Sequence, residues 1–307
     1  MTAVPGRHLA LVGATASGKS ALALELARHN SDLELVNVDA MQVYRGMDIG
    51  TAKPTPAQQA EVAHHLIDVA DPAEDFSVAQ FQAAFDRALT DIEARGRRAL
   101  LVGGTGLYVR AVVDNLTLPG RYPEARAAVE AESDTAALHR RLDELDPVAA
   151  ARMEPSNRRR LVRALEVTLG SGRPFSSFGP GLEAYPPSPI AQVGLRLAPE
   201  LLDARIAARL QIMLDAGFLD EVRRLASWPA GLSRTARQAL GYRELLAHVE
   251  DGIPLDDAVA ETLRRTRRFA RRQLRWFRRD PRITWHDAGD NSLALAPRLL
   301  GYWQLCS

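Results

Sequence analysis

Residues 8–20, HLALVGATASGKS, constrain the fold more than any other stretch, because an apolar run is followed by a glycine-bounded loop and the start of a helix. The loop matches the phosphate-binding pattern G-x-x-x-x-G-K-[ST]. Residues 8–12 are predicted to form a buried strand, and residues 20–28 a helix with an apolar face. The backbone N–H groups of such a loop converge at the positive end of the helix dipole, which suits a di- or triphosphate. The predicted phosphate-binding residues are Gly13, Ala14, Thr15, Ala16, Ser17, Gly18, Lys19 and Ser20, and the hydroxyl of Ser20 is the predicted ligand of Mg²⁺.

The composition is that of a soluble globular enzyme, with 46% apolar and 25% charged residues. No run of 18 apolar residues occurs, and the first ten residues lack a signal-peptide pattern. The single cysteine, Cys306, cannot form an internal disulfide. We therefore expect a cytoplasmic protein with no membrane contact.

Only two of the 39 basic residues are lysines, Lys19 and Lys53, and both lie in the part of the chain that is richest in motifs. A compact ammonium group and a planar guanidinium group are not equivalent at a phosphate. We interpret both lysines as selected for their chemistry rather than retained by chance.

Two further strands are predicted to end beside the phosphate-binding loop. Residues 33–39 alternate in polarity and end in Asp39, while the apolar residues 99–102 run into the sequence GGTG at 103–106. Parallel strands deliver their carboxyl ends to one edge of a sheet. Asp39 and Thr105 are therefore expected near the phosphates, although on local evidence GGTG could also be a simple tight turn.

The loop that follows Asp39 carries polar groups of several kinds, which favours a functional site over a solvated connection. These groups are Gln42, Tyr44, Arg45, Asp48, Thr51 and Lys53. No metal role is expected for His64 and His65, since adjacent residues on a strand face opposite ways.

The middle of the chain is predicted to be an all-helical insertion at 119–189. Helices are expected at 123–132, 135–145 and 157–169, and residues 190–197 resume the sheet. The fold class is therefore α/β: a parallel-sheet core like that of P-loop NTPases, formed by 1–118 and completed by 190–307, with a helical insertion domain. The C-terminal part is helical and arginine-rich.

A helix at about 256–279 carries a concentration of positive charge, interleaved with Phe269, Trp276 and Phe277. Its arginines are Arg264, Arg265, Arg267, Arg268, Arg271, Arg272, Arg275, Arg278 and Arg279. Within the helix only Asp257 and Glu261 are placed to pair with them, so the pattern indicates a polyanion, and RNA in particular.

An earlier helix, at 201–216, is predicted to place two arginines near the sheet. Arg205 and Arg209 lie one turn apart on a common side. Because this helix follows a core strand directly, it can aim one of them at a bound phosphate.

Seven segments together resemble the tRNA dimethylallyltransferase family. They are GATASGKS (13–20), VDAMQVYRGMDIGTAKP (38–54), LLVGGTGLY (100–108), DPVAAAR (146–152), RALEV (163–167), GYR (241–243) and RRQLRWFRR (271–279). The resemblance implies transfer of an isopentenyl group from dimethylallyl diphosphate to N6 of adenosine 37, beside the tRNA anticodon. It further implies Mg²⁺ as cofactor and the tRNA anticodon stem-loop as partner, and we expect a monomer.

The resemblance also assigns roles to residues of this chain. The family's general base falls on Asp39, its phosphate-contacting threonine on Thr105 and its diphosphate-binding arginine on Arg209. The residues onto which its tRNA contacts map are Asp39, Ala40, Met41, Gln42, Thr105, Arg126, Arg159, Arg160, Leu161, Val162, Arg163, Arg237, Gln238, Gly241, Tyr242, Arg268, Arg271, Arg272 and Arg275. The insertion departs from the family at 156–159, where Ser-Asn precedes the basic pair instead of the frequent Asn and Asp.

The chemistry of this reaction agrees with the residue types present. An exocyclic adenine amine is a poor nucleophile and must lose a proton as the C–N bond forms, which requires a positioned carboxylate. The departing diphosphate requires a phosphate loop, cations and Mg²⁺. The adenine must also leave the anticodon stack to reach a buried site.

Three other functions fit parts of the sequence. A small-molecule or nucleotide kinase would bind ATP at the loop, use Asp39 to activate a hydroxyl and close Arg158–Arg163 as a lid, yet it has no use for the arginine-rich helix. A GTPase is disfavoured because neither lysine follows an asparagine. An RNA-binding module without catalysis leaves Asp39, Thr105 and Lys19 unexplained.

Overall fold

Within the part of the chain that the structure describes, six strands run parallel in one sheet, in the order β3-β2-β4-β1-β5-β6. The computed structural model describes residues 7–304, so Cys306 lies outside the described residues. The strands are β1 (His8–Gly13), β2 (Leu33–Val38), β3 (His64–His65), β4 (Arg98–Gly103), β5 (Ile190–Arg196) and β6 (Thr284–Asp287). The predicted parallel core is confirmed, and the short edge strands β3 and β6 complete it.

The described residues also form helices, between the strands and after the last of them. They are α1 (Lys19–His29), α2 (Pro56–Glu61), α3 (Val78–Ala94), α4 (Gly106–Val113), α5 (Pro123–Glu130), α6 (Thr135–Leu145), α7 (Pro147–Ala151), α8 (Arg158–Ser171), α9 (Pro199–Asp215), α10 (Phe218–Ala226), α11 (Arg234–Arg237), α12 (Tyr242–Asp251), α13 (Leu255–Phe277) and α14 (Ala296–Gln304). No helix among residues 7–304 combines the length and apolar character that a membrane span requires.

The central strand β1 is buried throughout, and it contributes side chains to the apolar cores on both faces of the sheet. Ala10 and Val12 belong to the cluster that contains Phe81 of α3, whereas Leu9 and Leu11 belong to the cluster on the other face. Successive side chains of a strand point to opposite faces, so the interior positions of a strand covered by helices on both sides are apolar.

The start of α3 shows how local sequence sets the helix bounds. The hydroxyl of Ser77 accepts a hydrogen bond from the N–H of Gln80, and the Gln80 side chain accepts from the N–H of Ser77. This capping box satisfies two backbone donors that the first turn leaves free.

The chain divides into two compact units. The first comprises the residues up to Asp114 and those from Pro187 onward, and it contains the whole sheet. The second, at 115–186, holds α5 to α8 around its own apolar core of Leu138, Leu142, Leu161 and Leu165. Its described residues form helices and turns without a strand.

Candidate active site at the carboxyl edge of the sheet

The phosphate-binding loop joins β1 to α1 at the carboxyl end of the central strand. Gly18 has a φ of 93°, a left-handed conformation that favours glycine, and it precedes the first turn of α1. A Cβ atom at Gly13 would lie 2.7 Å from the carbonyl oxygen of Leu195 in the neighbouring β5. Both glycines of the motif are thus required by backbone geometry, and the predicted order of strand, loop and helix is confirmed.

Lys19 is buried beneath this loop. Its Nζ donates a hydrogen bond to the carbonyl oxygen of Ala14 at 2.5 Å. Burial and then the positive charge of Arg209 lower the pKa of Lys19 to about 7, against the opposing effect of the Asp39 carboxylate. Burial and a second cation both destabilise the charged ammonium group. A bound anion would stabilise it, so this environment favours an anionic ligand.

Asp39 and Thr105 follow neighbouring strands and are held together. In the register of β2 and β4, Val38 pairs with Gly103, where a Cβ atom would lie 2.1 Å from the Val38 carbonyl oxygen. Thr105 Oγ1 accepts a hydrogen bond from the N–H of Ala40 at 3.2 Å. The half-buried Asp39 accepts one through Oδ1 from the N–H of Met41 at 2.8 Å. The close approach of the two strands, permitted by Gly103, brings these side chains to the same edge.

Of the two candidate arginines on α9, Arg209 reaches the loop. Its Nη1 donates to the hydroxyl of Thr15 at 3.3 Å. Burial lowers the pKa of Arg209, while the charge of Asp39 raises it. Arg205 instead donates to the carbonyl oxygens of Gly289 and Asp290. The structure therefore brings Lys19, Asp39 and Arg209 into one electrostatic cluster. Arg205 is not part of it, because its side chain is bonded to the C-terminal segment.

Sequence reasoning missed Gln273, which contacts the site from α13. Its Oε1 accepts a hydrogen bond from the N–H of Thr15 at 2.8 Å, and its Nε2 donates to the carbonyl oxygen of Gly104 at 2.7 Å. Trp276, one turn later, packs on Gly106, where a Cβ atom would lie 2.3 Å from its ring. The available signal was the amide side chain of Gln273 within a run of arginines, at helical spacing from a tryptophan.

Most of the polar residues on the loop after Asp39 hold that loop rather than form a site. Gln42 Nε2 donates to the carbonyl oxygen of Thr51, and the hydroxyl of Thr51 donates to that of Met47. Tyr44 is fully buried. The interpretation of this loop as a polar site is thus corrected for its later part, because these side chains are already engaged within it.

Lys53 is held by oxygen atoms of the protein itself rather than placed at the phosphate-binding loop. Its side chain is 3% exposed, and its Nζ donates to Asp48, Asp68 and the carbonyl oxygen of Tyr44 at 2.6, 2.5 and 2.8 Å. An ammonium group has three donors around one atom, whereas a guanidinium group spreads its donors over a plane. A lysine at position 53 therefore stabilises the folded loop.

Tyr242 also differs from its predicted role as a tRNA contact. It is buried, and its hydroxyl donates to Glu221 Oε1 at 2.5 Å. Burial and the neighbouring carboxylate raise the pKa of Tyr242 well above its usual value. Glu221 also accepts hydrogen bonds from the N–H groups of residues 48–50. Glu221 and Tyr242 together therefore hold the loop that follows Asp39 in place. Gly241 is buried as well.

The outward face of α13 carries the exposed side chains of Arg268, Arg271, Arg272 and Arg275. Among the described residues, Arg271 pairs with Asp203 at 2.9 Å, and the other three form no ion pair. The prediction that only acids of the helix itself could pair was wrong, since Asp203 of α9 and Glu244 of α12 also contribute.

Some of the remaining candidate tRNA contacts are exposed, and others form ion pairs within the protein. Arg159, Arg160 and Gln238 are exposed. Arg237 pairs with Glu250.

Arg126 and Arg163 converge on Glu166, a buried carboxylate of the second unit, at 3.3 and 2.6 Å. Leu161 and Val162 lie in the core of that unit, 0% and 3% exposed. The assignment of Leu161 and Val162 as tRNA contacts is corrected for their side chains, because α8 turns that face inward.

The described residues offer few side chains that could bind a metal ion. No group of three or more His, Cys, Asp or Glu side chains within residues 7–304 could hold one. The hydroxyl of Ser20 at the start of α1 is exposed and makes no hydrogen bond to the described residues. The chemistry of this hydroxyl fits Mg²⁺, and Ser20 would hold the ion at a bound phosphate group.

Comparison with known proteins identifies relatives along almost the whole chain. The family model for IPP transferase matches residues 42–280. A tRNA dimethylallyltransferase of Kineococcus radiotolerans is 51% identical over 95% of both chains, and that of Pseudarthrobacter chlorophenolicus is 49% identical over 93% of this chain and 95% of its own. The crystal structure of a tRNA isopentenylpyrophosphate transferase from Bacillus halodurans is 36% identical, covers 96% of both chains and superposes with a TM-score of 0.68.

Proposed function

Because this chain belongs to the IPP transferase family and is a tRNA-prenylating enzyme, we propose that it transfers a dimethylallyl group from dimethylallyl diphosphate to N6 of adenosine 37 in tRNA. The products are N6-isopentenyladenosine in the anticodon loop and inorganic diphosphate. The observation that carries the proposal is the electrostatic cluster of Asp39, Lys19 and Arg209 at the phosphate-binding loop. It combines a carboxylate for the nucleophile with two buried cations for the leaving group.

Asp39 acts as the general base. The N6 amine attacks the allylic carbon that bears the diphosphate, the C–O bond to the diphosphate breaks, and an N6 proton passes to the carboxylate of Asp39. One Asp39 oxygen accepts the N–H of Met41, which holds the carboxylate in place. Thr105, bonded to the N–H of Ala40, fixes the same turn and contacts the phosphate.

The phosphate-binding loop stabilises the leaving group. Backbone N–H groups at the start of α1, the ammonium of Lys19 and the guanidinium of Arg209 surround the place where negative charge develops. Ser20 would hold Mg²⁺, which supplies further neutralisation of the diphosphate when bound. Each of these groups strengthens its interaction as the C–O bond breaks, and this differential binding accelerates the reaction.

The exposed arginines of α13 bind the anticodon stem-loop. Arg268, Arg272 and Arg275 have no internal carboxylate partner among the described residues, so their charges are available to phosphates of the RNA. Arg159 and Arg160 of the second unit offer similar exposed charge. One chain supplies the base, the loop and both cations, which supports a monomer, and a tRNA substrate supports a cytoplasmic location.

The kinase alternative is not favoured. A kinase would use the same phosphate loop for ATP, but it would leave the unpaired arginines of α13 without a partner. The relatives found along the chain are tRNA-modifying transferases.

A direct assay separates these activities. Purified protein is incubated with Mg²⁺, undermodified tRNA and dimethylallyl diphosphate labelled in the allylic group, with labelled ATP and the same tRNA in a parallel tube. We expect label on the RNA from the first tube, located at adenosine 37 after nuclease digestion. Label at another nucleotide, or consumption of ATP with no prenylated RNA, would contradict the proposal.

A further inference from the structure

Gln273 links the arginine-rich helix to the phosphate-binding loop. It lies on the inner face of α13 and is 6% exposed, while its sequence neighbours Arg271, Arg272 and Arg275 are exposed on the outer face. One turn of helix therefore carries the proposed RNA contacts on one side and a contact to the donor site on the other.

The two hydrogen bonds of Gln273 use both ends of its amide. The oxygen accepts from the N–H of Thr15 at 2.8 Å, and the nitrogen donates to the carbonyl oxygen of Gly104 at 2.7 Å. An amide can donate and accept at once, whereas arginine only donates and an ionised glutamate only accepts. A Cβ atom at Gly104 would lie 2.4 Å from Gln273 Nε2, so the strand end and the helix are in close contact. The geometry accounts for a glutamine at this position.

Thr15 is consequently held from two directions. Gln273 fixes its backbone N–H, and Arg209 donates to its hydroxyl at 3.3 Å. Arg209 is the proposed diphosphate-binding cation, and its hydrogen bond to Thr15 contributes to the position of that guanidinium. A displacement of α13 by about an ångström would lengthen both Gln273 bonds beyond hydrogen-bonding distance.

We propose that Gln273 is a positioning residue that sets Thr15 and Arg209 for the departing diphosphate and couples RNA binding on α13 to the affinity of the loop for diphosphate. The inference rests on the proposed function. A rigid helix that contacts both ligands is the physical connection that such coupling requires. Gln273 touches neither substrate and acts through Thr15.

The test compares two variants with the same chemical change. Gln273→Met keeps the length and approximate volume of the side chain but removes both hydrogen bonds. Gln192→Met, in β5, replaces a second buried glutamine, whose side chain makes one weak contact to Asp280 at 3.5 Å and has an oxygen without a partner. Thermal unfolding of both variants verifies that they are folded.

Two quantities are measured on each protein. The first is the KM for dimethylallyl diphosphate together with kcat. The second is the affinity for a fluorescent anticodon stem-loop in the presence and absence of saturating inorganic diphosphate and Mg²⁺. The ratio of the two affinities gives the coupling between the ligands, and a general loss of stability would not change this ratio.

For the wild type we expect diphosphate to change the stem-loop affinity severalfold. In Gln273→Met the ratio should approach one and the KM for the donor should rise roughly tenfold, the effect of about one buried hydrogen bond. Gln192→Met should behave as the wild type. A wild-type ratio of one, or a Gln273→Met protein with the wild-type ratio and KM, would overturn the inference.

A second measurement requires no variant. Hydrogen exchange of the peptide that contains residues 13–20 is followed with and without the stem-loop, in the absence of donor. Slower exchange on RNA binding is expected, and unchanged exchange counts against the inference. If the wild type transfers no label to tRNA, the proposed function itself fails; if it does and only these results are negative, the role of Gln273 alone is rejected.

Discussion

Lys19 and Arg209, two cations from helices far apart in the sequence, are electrostatic neighbours at the phosphate-binding loop. Burial is the first cause of the lowered pKa of Lys19, and the charge of Arg209 is the second. Arg209 is itself buried, and Asp39 favours the charged form of both. Two desolvated cations beside one carboxylate leave an excess of positive charge that a diphosphate would neutralise.

Diphosphate binding should therefore take up a proton above pH 7. The pKa of Lys19 is about 7 in the ligand-free protein, and a bound anion favours the ammonium form and raises it. Below pH 7 Lys19 is charged in both states, so affinity does not depend on it. Above pH 7 binding must protonate it, and affinity falls by up to about tenfold per pH unit.

Calorimetry at pH 8 in two buffers of different ionisation enthalpy measures this uptake. The matched variant is Lys19→Arg, whose guanidinium stays charged and cannot titrate in this range. Because diphosphate also ionises, the informative quantity is the difference between the two proteins. Equal proton uptake by wild type and variant would show that Lys19 is already charged in the free protein.

Replacement of Asp39 by asparagine should strongly reduce turnover without loss of RNA binding. The side-chain oxygen of the introduced asparagine can still accept the N–H of Met41, so the turn is retained, but the general base is lost. We expect kcat to fall by about 10² to 10⁴. Single-turnover transfer and stem-loop binding are measured beside Asp86→Asn, an exposed position on α3. Near-normal turnover by Asp39→Asn would mean that another group removes the proton.

The unpaired arginines of α13 should dominate the salt dependence of tRNA binding. Arg268→Gln and Arg275→Gln should each lower the slope of log affinity against log salt by about one. Arg264→Gln is the matched control, because Arg264 on the same helix already pairs with Glu261. Stem-loop affinities between about 50 and 200 mM salt give the slopes. Slopes that do not differ between these variants and the control would exclude α13 as the main phosphate contact.

The C-terminal helix α14 should contribute strongly to stability through Trp303. This side chain is 2% exposed, belongs to the apolar cluster that contains Leu22 and Leu26 of α1, and lies 5.2 Å from the guanidinium of Arg98. Trp303→Ala should lower the free energy of unfolding by about 3–5 kcal/mol. Urea denaturation is compared with Leu293→Ala, at a position that is 39% exposed. A loss no larger than that of Leu293→Ala would show that the segment is not part of the core.

By itself the sequence determined the strand, loop and helix around Lys19 and the helical nature of the insertion, which was predicted at 119–189. These features depend on hydrophobic periodicity and on interactions between residues close in the chain. The placement of Asp39 beside the loop also followed, because parallel strands end at one edge. Neither the short strand β6 nor helix α14 was predicted; β6 has four residues, so its pattern is weak.

The tertiary structure alone decided which of several equivalent side chains meets which partner. Arg205 and Arg209 lie on the same side of one helix. The packing of α9 decides that Arg209 donates a hydrogen bond to Thr15, whereas Arg205 donates to Asp290. Lys53 became a structural cation because Asp68, which follows α2 and β3 in the sequence, contacts it in the folded protein. Gln273 reached Thr15 from the far end of the chain. Periodicity reports which face of an element is buried, whereas the partner depends on distances that exist only after the elements have packed.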